Sequence, residues 1–298
     1  MELQQMRYVL AVASTGNFTR AAKQCLVVQS ALSHQIAALE RELGVRLFAR
    51  TSRRVALTPA GEAFLPAARA CLEAADRAAA DAAATTGEIR GRLAIGMIPT
   101  VTGIDLPAAL REFHLRHPQV RIVLRGAGSD EMVESIRAGD LDVAVLGLPE
   151  SARPQGVRYR ALHHDRHVAV LARTHRLAAR RRLDLAALAG EPFADFPADT
   201  AGRAQSDLAF AAAGLTREVA FEAMATDLIL GLIRQGLAVA LLPSRFVTGA
   251  PGVVTVPLTD GPARVEYLAW SDFNPTPAAT AFLETAAAGS THRPVGDG

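Results

Sequence analysis

Residues 17–44 read NFTRAAKQCLVVQSALSHQIAALERELG and contain two short helical patterns joined by a tight turn. The apolar residues of the first pattern are Phe18, Ala21, Ala22 and Cys25. Those of the second, spaced by four, three and four, are Leu32, Ile36, Leu39 and Leu43. Gly44 is suited to end the second helix, and the small Ala21 and Ala22 permit close helix packing. The pattern predicts a helix-turn-helix, with residues 3–15 as a helix before it.

A polar helix face and a basic hairpin flank this motif. The outward face of the third helix carries hydrogen-bonding side chains of the kind that contact base edges, namely Gln29, Ser30, Ser33, His34 and Gln35. Residues 47–57 are predicted to form a hairpin whose tip presents Arg53 and Arg54. Paired arginines on such a wing suit phosphates or a minor groove. An ordinary solvated face is the alternative interpretation of the polar residues.

Charge is distributed unevenly along the chain. Residues 1–60 contain eight basic and three acidic side chains, a net charge of +5, whereas the whole chain of 298 residues carries +2. The remainder is therefore slightly acidic. A basic small unit on an acidic large one favours contact with a polyanion such as DNA.

Ordered motifs over some sixty residues resemble the LysR-type transcriptional regulators. These motifs are residues 18–22 (FTRAA), 29–36 (QSALSHQI), 39–40 (LE), 43–50 (LGVRLFAR) and 57–61 (LTPAG). Ser30 departs from the proline that many members have there. The resemblance implies an N-terminal winged helix-turn-helix over residues 1–58. It implies DNA contacts by Thr19, Arg20, Gln29, Ser30, Ser33, His34, Gln35, Arg50, Arg53 and Arg54.

A long Ala-rich helix is predicted next, over residues 59–87. Thr58 is suited to be its N-cap, and Pro59 its first residue. An apolar seam in alternating steps of three and four runs along it through Leu65, Ala68, Leu72, Ala75, Ala79 and Ala82. So narrow an apolar seam would also suit a helix that packs against the core of its own chain. The resemblance favours a linker helix that pairs two subunits.

Residues 88–148 alternate strand and helix patterns in the order βαβαβ. This order predicts an open parallel sheet, where ligands bind beyond the carboxyl ends of strands. Thr100 is expected to start a helix after the first strand, and Ser129 another after the second. Their hydroxyls and the nearby N–H groups would suit a carboxylate or another small anion. Simple helix capping by each residue remains the alternative.

A second α/β unit is predicted from about residue 164, and the strand 265–270 is expected to return to the first. We therefore expect two Rossmann-like lobes similar to type 2 periplasmic binding proteins, with an α/β fold overall. Lobe 1 would comprise residues 88–163 and 267–288, and lobe 2 residues 164–266. Residues 289–298 are expected to be a disordered tail. By resemblance, an effector would occupy the cleft lined by Thr100, Ser129, Gly147, Phe196, Thr200 and Thr226.

Three other functions compete with an effector-controlled regulator. An enzyme would need a reactive constellation, but the single lysine, Lys23, excludes a phosphate-binding Gly-Lys loop and a Schiff base in the C-terminal region. We therefore expect no catalytic residues and no cofactor. A periplasmic binding protein would leave residues 1–86 unexplained. A DNA-binding protein without an effector stays open.

Metal and thiol chemistry are both disfavoured by the sequence. The cluster His163, His164, Asp165 and His167 invites a metal site. Adjacent strand residues point to opposite faces, and we expect only Asp165 and His167 to share one. Residues 72–298 lack cysteine, so a thiol switch in the sensing lobes is excluded.

Partners and location follow from the same expectations. No apolar run is long enough to span a bilayer, so we expect a cytoplasmic protein without membrane contact. The expected partners are double-stranded DNA with a pseudo-palindromic promoter site, a small-molecule effector and further copies of the chain, as a homodimer or homotetramer. RNA polymerase would be a partner if the protein activates transcription.

Overall fold

The computed structural model describes residues 1–50, 55–85, 88–273 and 275–289. The chain divides into two compact units, Met1–Gly87 and Glu88–Gly298. None of the helices within the described ranges is both long enough and apolar enough to cross a membrane. The tail predicted to be disordered, residues 289–298, lies outside the described residues apart from Gly289, which ends a helix.

The first unit contains the predicted helix-turn-helix, a two-stranded hairpin and a long helix. Its elements are α1 (Leu3–Thr15), α2 (Phe18–Gln24), α3 (Gln29–Leu43), β1 (Phe48–Arg50), β2 (Val55–Leu57) and α4 (Pro59–Ala84). Gly16 ends α1 in the left-handed conformation, with a φ of 60°. Asn17 then caps α2, because its Oδ1 accepts the backbone N–H groups of Thr19 and Arg20. The predicted break between the first two helices is confirmed.

The apolar stripes of α2 and α3 meet in one core. The fully buried side chains of the α3 stripe are Leu32, Ile36 and Leu39. Phe18 of α2 lies edge to face against Phe48 of the hairpin, with ring centroids 5.7 Å apart. Leu43 is exposed, contrary to the predicted stripe, because α3 ends there at Gly44. The hairpin is thereby packed directly on the helix-turn-helix.

The start of α4 is built against the hairpin. The Oγ1 of Thr58 accepts the N–H of Gly61 at 3.0 Å, which confirms the predicted cap, and donates to the carbonyl of Arg46 at 2.5 Å. Gly61 packs so closely that a Cβ there would lie 2.2 Å from the carbonyl oxygen of Leu47. Only glycine fits this contact, which sets where α4 leaves the hairpin.

The predicted seam along α4 divides into two parts. Ala68 and Leu72 pack against Met6 of α1 in the same chain. Ala79 and Ala82 are exposed, by contrast. The prediction of one continuous intersubunit seam is therefore wrong for its first half, since α1 already covers it.

The second unit is built on a large mixed sheet. Its first elements are β3 (Gly91–Met97), α5 (Leu106–Arg116), β4 (Val120–Gly126), α6 (Ser129–Ala138), β5 (Val143–Pro149) and β6 (Arg158–Ala172). The remainder are β7 (Pro192–Asp195), α7 (Ala201–Ala212), β8 (Glu218–Glu222), α8 (Thr226–Arg234), β9 (Ala240–Pro243), α9 (Ser244–Val247), β10 (Val253–Pro257), β11 (Ala263–Trp270) and α10 (Pro277–Gly289). Among the described residues, seven strands form one sheet in the order β10-β6-β11-β5-β3-β4, with β9 also paired to β6. Strands β3, β4 and β5 are parallel, as predicted.

Two lobes arise because β6 changes partners along its length. Its first part pairs with β11, up to Arg166 opposite Ala263, and its second part pairs with β9 and β10 from His167 onward. The crossovers therefore lie at 166/167 and 262/263, and not at the predicted 163/164 and 266/267. Separate apolar clusters fill the two sides. The two lobes are therefore connected by β6, which is a continuous, hydrogen-bonded strand.

The segment after β3 differs from its prediction. No helix starts at Thr100, because α5 begins only at Leu106, after Asp105 has capped it through the N–H of Ala108. Residues 99–105 are held by β11 instead. Glu266 accepts the N–H groups of Thr102 and Gly103 at 3.0 and 2.8 Å. These bonds replace the helical bonds that the sequence pattern suggested.

Candidate functional site

The first turns of α2 and α3 expose most of the predicted DNA-contacting side chains. Exposed residues are Thr19, Arg20, Gln29, Ser30 and His34, whereas Ser33 and Gln35 are half-buried. Because α3 begins at Gln29, its uncapped first-turn N–H groups lie on the same surface. The Nη2 of Arg20 donates to the carbonyl of Thr15 at 2.8 Å, which anchors this side chain at the end of α1.

Gln35 is oriented by a bond to α1. The Oε1 of buried Gln5 accepts the N–H of Glu2 at 3.0 Å, so its Nε2 must be the end that faces α3. That Nε2 donates to the Oε1 of Gln35 at 3.1 Å. The amide N–H₂ of Gln35 therefore remains as the donor for an outside acceptor. In base recognition we expect this side chain to donate a hydrogen bond and not to accept one.

The hairpin is only partly described. Arg50 lies in β1, where its backbone is paired with Val55. Arg53 and Arg54, predicted at the tip, lie outside the described residues. The position of β1 is determined by Glu40, which the sequence analysis assigned no role. Glu40 is 4% exposed, and its Oε1 accepts the N–H groups of Leu47 and Phe48 at 2.8 and 3.1 Å.

A cleft in the second unit brings together five of the six predicted effector residues. They are Thr100, Ser129, Gly147, Phe196 and Thr200. The cleft holds about 330 Å³ of space free of atoms, part of it open to solvent. Its other walls are mostly apolar, formed by Ile98, Pro99, Ala127 and Met224. Apolar walls with a few polar groups are the kind of lining found in sites for small organic molecules.

Thr226 is not part of the cleft. It begins α8 and is half-buried, but Met224, two residues earlier, is the residue that lines the cavity. Thr226 was expected in the cleft because it starts a helix, as Ser129 does. In the structure, α8 starts outside the cavity.

Ser129 holds the end of β5 and the start of α6 together. Its Oγ donates to the carbonyl of Gly147 at 3.1 Å and accepts the N–H of the same residue at 3.0 Å. The hydroxyl that was expected to meet a ligand is thus already used. Gly128 is the N-cap of α6 and has no side chain to satisfy the first-turn N–H groups.

The N-termini of α6 and α7 lie side by side at the cleft. A Cβ at Gly128, before α6, would lie 3.6 Å from the Cγ2 of Thr200, the N-cap of α7. The positive ends of both helix dipoles therefore point at one small space. Asp130 and Glu131 in the first turn of α6 are exposed and do not line it.

The buried side chain of Arg264 forms another wall of the cleft and belongs to an ion pair that the sequence analysis missed. The Nη1 and Nη2 of Arg264 donate to the Oγ1 and carbonyl of Thr100, both at 2.7 Å. Nη2 also donates to Oε1 of Glu266 at 2.5 Å. Burial lowers the pKa of Arg264, and the carboxylate of Glu266 opposes that shift. The signal in the sequence was the presence of two charged residues, Arg264 and Glu266, in the otherwise apolar strand β11.

Gln205 is a second residue of the cleft that the sequence analysis missed. Its Nε2 donates to the carbonyl of Gly147 at 3.1 Å. Its Oε1 is buried without a hydrogen-bond partner among the described residues. The unsatisfied oxygen offers an acceptor to a ligand, because a buried carbonyl left unpaired is unfavourable.

The histidine cluster is arranged differently from its prediction. The strand register places His163 opposite Glu266, and Asp165 opposite Arg264. His163, Asp165 and His167 therefore share one face, whereas only the last two were expected to do so. In the described part of the chain, no three His, Cys, Asp or Glu side chains lie close enough to hold a metal ion.

Family comparisons agree with this division of the chain. Residues 3–62 match the model described as the bacterial regulatory helix-turn-helix protein of the lysR family. Residues 86–290 match the LysR substrate binding domain. The chain belongs to the LysR family. It is accordingly a DNA-binding transcription regulator with an effector-binding domain, as the sequence motifs indicated.

Individual LysR-family proteins match nearly the whole chain. The transcriptional regulator IlvR of Caulobacter vibrioides is 35% identical over 275 residues, covering 91% of this chain and 92% of that protein. The Hca operon transcriptional activator HcaR of Escherichia coli is 35% identical over 289 residues, covering 95% and 96%. Full-length CbnR, solved in complex with its target DNA, has a TM-score of 0.74 at 27% identity and covers 97% of this chain and 100% of its own.

Proposed function

We propose that this LysR-family regulator responds to a small anionic effector bound in the cleft between its two lobes. The observation that carries the proposal is the convergence of the N-termini of α6 and α7 on the cleft. Partial positive charge at helix N-termini favours anions by about 0.3–1 kcal/mol each at exposed sites, and more when partly buried. The apolar walls would contact the uncharged part of the molecule.

The residues expected to bind the effector divide by chemistry. Thr100 keeps its hydroxyl hydrogen, since its Oγ1 accepts from Arg264 and its own proton remains free to donate. Gln205 offers its unpaired Oε1 to a hydroxyl or amine hydrogen elsewhere on the effector, because an ionised carboxylate cannot donate to it. Phe196 and Thr200 come from lobe 2, and Gly147 from lobe 1, so a ligand in contact with all of them would favour one lobe orientation.

We further propose that α3 contacts bases and that the hairpin contacts phosphates. Exposed Gln29, Ser30 and His34, together with half-buried Ser33 and Gln35, support the first part. Thr19, Arg20 and Arg50 would contact the phosphate backbone of the DNA, together with Arg53 and Arg54 of the hairpin. Two copies on a two-fold axis would require a pseudo-palindromic promoter site.

The proposal extends to the assembly of the protein, its cellular location and the absence of catalysis. Ala79 and Ala82, which are exposed on the second half of α4, support a homodimer, or a homotetramer of two dimers. A promoter-binding protein of this family would act in the cytoplasm and contact RNA polymerase if it activates transcription. Since relatives are transcription regulators, we propose that the chain acts without an enzymatic reaction, metal or cofactor.

The test is isothermal titration calorimetry of the full-length chain against a panel of small carboxylates, with neutral amide analogues as controls. A carboxylate should bind and its amide should not. Gln205→Met, which keeps size but removes the unpaired oxygen, should weaken binding of a carboxylate that also carries a hydroxyl or amine hydrogen, whereas Thr226→Val should not. Equal affinity for a carboxylate and its amide would contradict the anion proposal. Unchanged affinity in Gln205→Met would remove that residue from the site.

A further inference from the structure

Two large apolar side chains are exposed in the turn that joins α2 to α3. Leu26 is 92% exposed and Val28 is 68% exposed. Val27, between them, is half-buried and packs on the core of the helix-turn-helix, so its two neighbours point away from that core. The base contacts proposed for α3 involve polar side chains and give this apolar pair no role.

Leu26 has a backbone conformation that its side chain disfavours. Its φ is 56°, and among the described residues no other residue except glycine has a positive φ. The N–H groups of Leu26 and Val27 return to the carbonyls of Lys23 and Ala22, at 3.2 and 3.0 Å, and thereby end α2. Helices that end with this pair of bonds usually have glycine at the left-handed position, because a Cβ there crowds the following carbonyl. Neither the backbone nor burial therefore explains a leucine here.

Val28 occupies the position before α3 that a polar capping residue would suit. Serine, threonine, asparagine and aspartate are favoured there, because their side chains accept the N–H groups of the first turn. The side chain of Val28 makes no such bond and presents an apolar surface beside those groups. Both Leu26 and Val28 therefore suit a contact outside the chain better than any contact within it.

The surface of α3 that is proposed to contact bases continues into this apolar pair. Exposed Gln29 and Ser30 follow Val28 directly, and exposed His34 lies one turn after Ser30. The first residues of a recognition helix are the ones that contact base edges in the major groove. In that groove, thymine presents an apolar C5 methyl group. An apolar pair beside side chains suited to bases matches this methyl group.

We propose that Leu26 and Val28 contact thymine methyl groups and so make each half-site of the promoter selective for thymine. The proposal rests on the base contacts proposed for α3, which bring the turn to the major groove. Burial of a group of this size changes an equilibrium constant about fourfold. Hydrogen-bonding side chains gain little from a methyl group, so the apolar pair adds a selectivity that Gln29, Ser30 and His34 do not supply.

The experiment replaces thymine with uracil, which removes the C5 methyl group and keeps the hydrogen-bonding edge of the base. A site that the full-length protein selects from random-sequence DNA is synthesised with one uracil at a time, and affinity is measured by fluorescence anisotropy. At least one replacement in each half-site should weaken binding about fourfold. The double variant Leu26→Asn/Val28→Ser should bind thymine and uracil DNA equally at that position. Asparagine tolerates the left-handed backbone and serine can cap α3, so unfolding would not explain this loss.

The matched control is Val45→Ala, which should keep the preference for thymine. Val45 is 47% exposed in the same unit but follows the far end of α3, whose 15 residues span about 22 Å. Equal binding of thymine and uracil DNA at every position by the unaltered protein would overturn the proposal. A preference that the double variant retains would overturn it too and favour a protein partner for the pair. Failure of the α3 base contacts is recognised separately, because His34→Ala would then weaken specific and random DNA equally.

Discussion

Replacing Glu40 with alanine removes the acceptor that holds the start of the hairpin against α3. Both bonds to Leu47 and Phe48 end on one carboxylate oxygen, in a side chain that is almost fully buried. Hydrogen bonds to charged groups contribute about 1.5–3 kcal/mol each. We expect Glu40→Ala to destabilise the local structure by about 3 kcal/mol, which is on the order of a hundredfold in the opening equilibrium.

Hydrogen exchange followed by mass spectrometry over residues 44–50 measures this opening directly. Glu40→Gln keeps an oxygen that can accept both bonds. It should destabilise the local structure roughly half as much as Glu40→Ala, because bonds to a charged acceptor are about twice as strong as bonds to a neutral one. The matched control is Glu42→Ala on the same helix, since Glu42 is exposed and, among the described residues, pairs only with the N-terminal amine of Met1. DNA affinity should fall in the same order, because the wing loses its position.

Unaltered exchange at residues 44–50 in Glu40→Ala would refute the reasoning. So would equal acceleration in Glu42→Ala, since that result would trace the effect to α3 as a whole and not to the two bonds.

Other consequences can be measured separately. Ser33→Ala and His34→Ala should weaken binding to the specific promoter by about 1–3 kcal/mol and spare random DNA; equal losses on both would argue against base contacts. Ala79→Glu should dissociate the oligomer in sedimentation experiments, whereas Ala68→Glu should unfold the first unit, because Ala68 is covered by α1. Burial lowers the pKa of His167 from 6.5 to about 3, so the unfolded chain binds more protons between these pH values. Stability should therefore fall as the pH drops below about 6.5, by at most about 1.4 kcal/mol per unit, and chemical denaturation of His167→Gln should show a flatter pH profile.

Local interactions explain why much of the first unit was predictable. The bonds by which Gly16, Asn17 and Thr58 end or cap helices reach partners within four residues, so their spacing alone locates the helix ends. Glu40 bonds to N–H groups seven and eight residues away, across a turn, and no periodic pattern reports such a bond. The seam on α4 was misjudged for a similar reason, since helix spacing identifies an apolar face but not what covers it.

Long-range contacts explain the errors at the cleft. Thr100 and Arg264 are separated by 164 residues, and their bonds keep residues 99–105 out of the helix that the pattern suggested. Thr100 and Ser129 were grouped from topology, because parallel strands end at one edge of a sheet, whereas Gly147, Phe196 and Thr200 were added by the family resemblance. Gln205 was missed since it lies inside α7, one turn beyond the helix start where ligand-binding residues were sought.

The chain passes from lobe 1 to lobe 2 and returns at a single place, because Arg166 on β6 and Ala263 on β11 are paired neighbours. Paired residues of antiparallel strands have Cα atoms only about 4.5–5.5 Å apart. Residues 167–262 are thus an insertion with adjoining ends, which recombination can exchange as a cassette while leaving the strand ladder of lobe 1 closed. Such an exchange would replace Phe196, Thr200 and Gln205 together and retain Gly147, so one step would change the chemical specificity and leave the sequence of the DNA-binding unit unchanged.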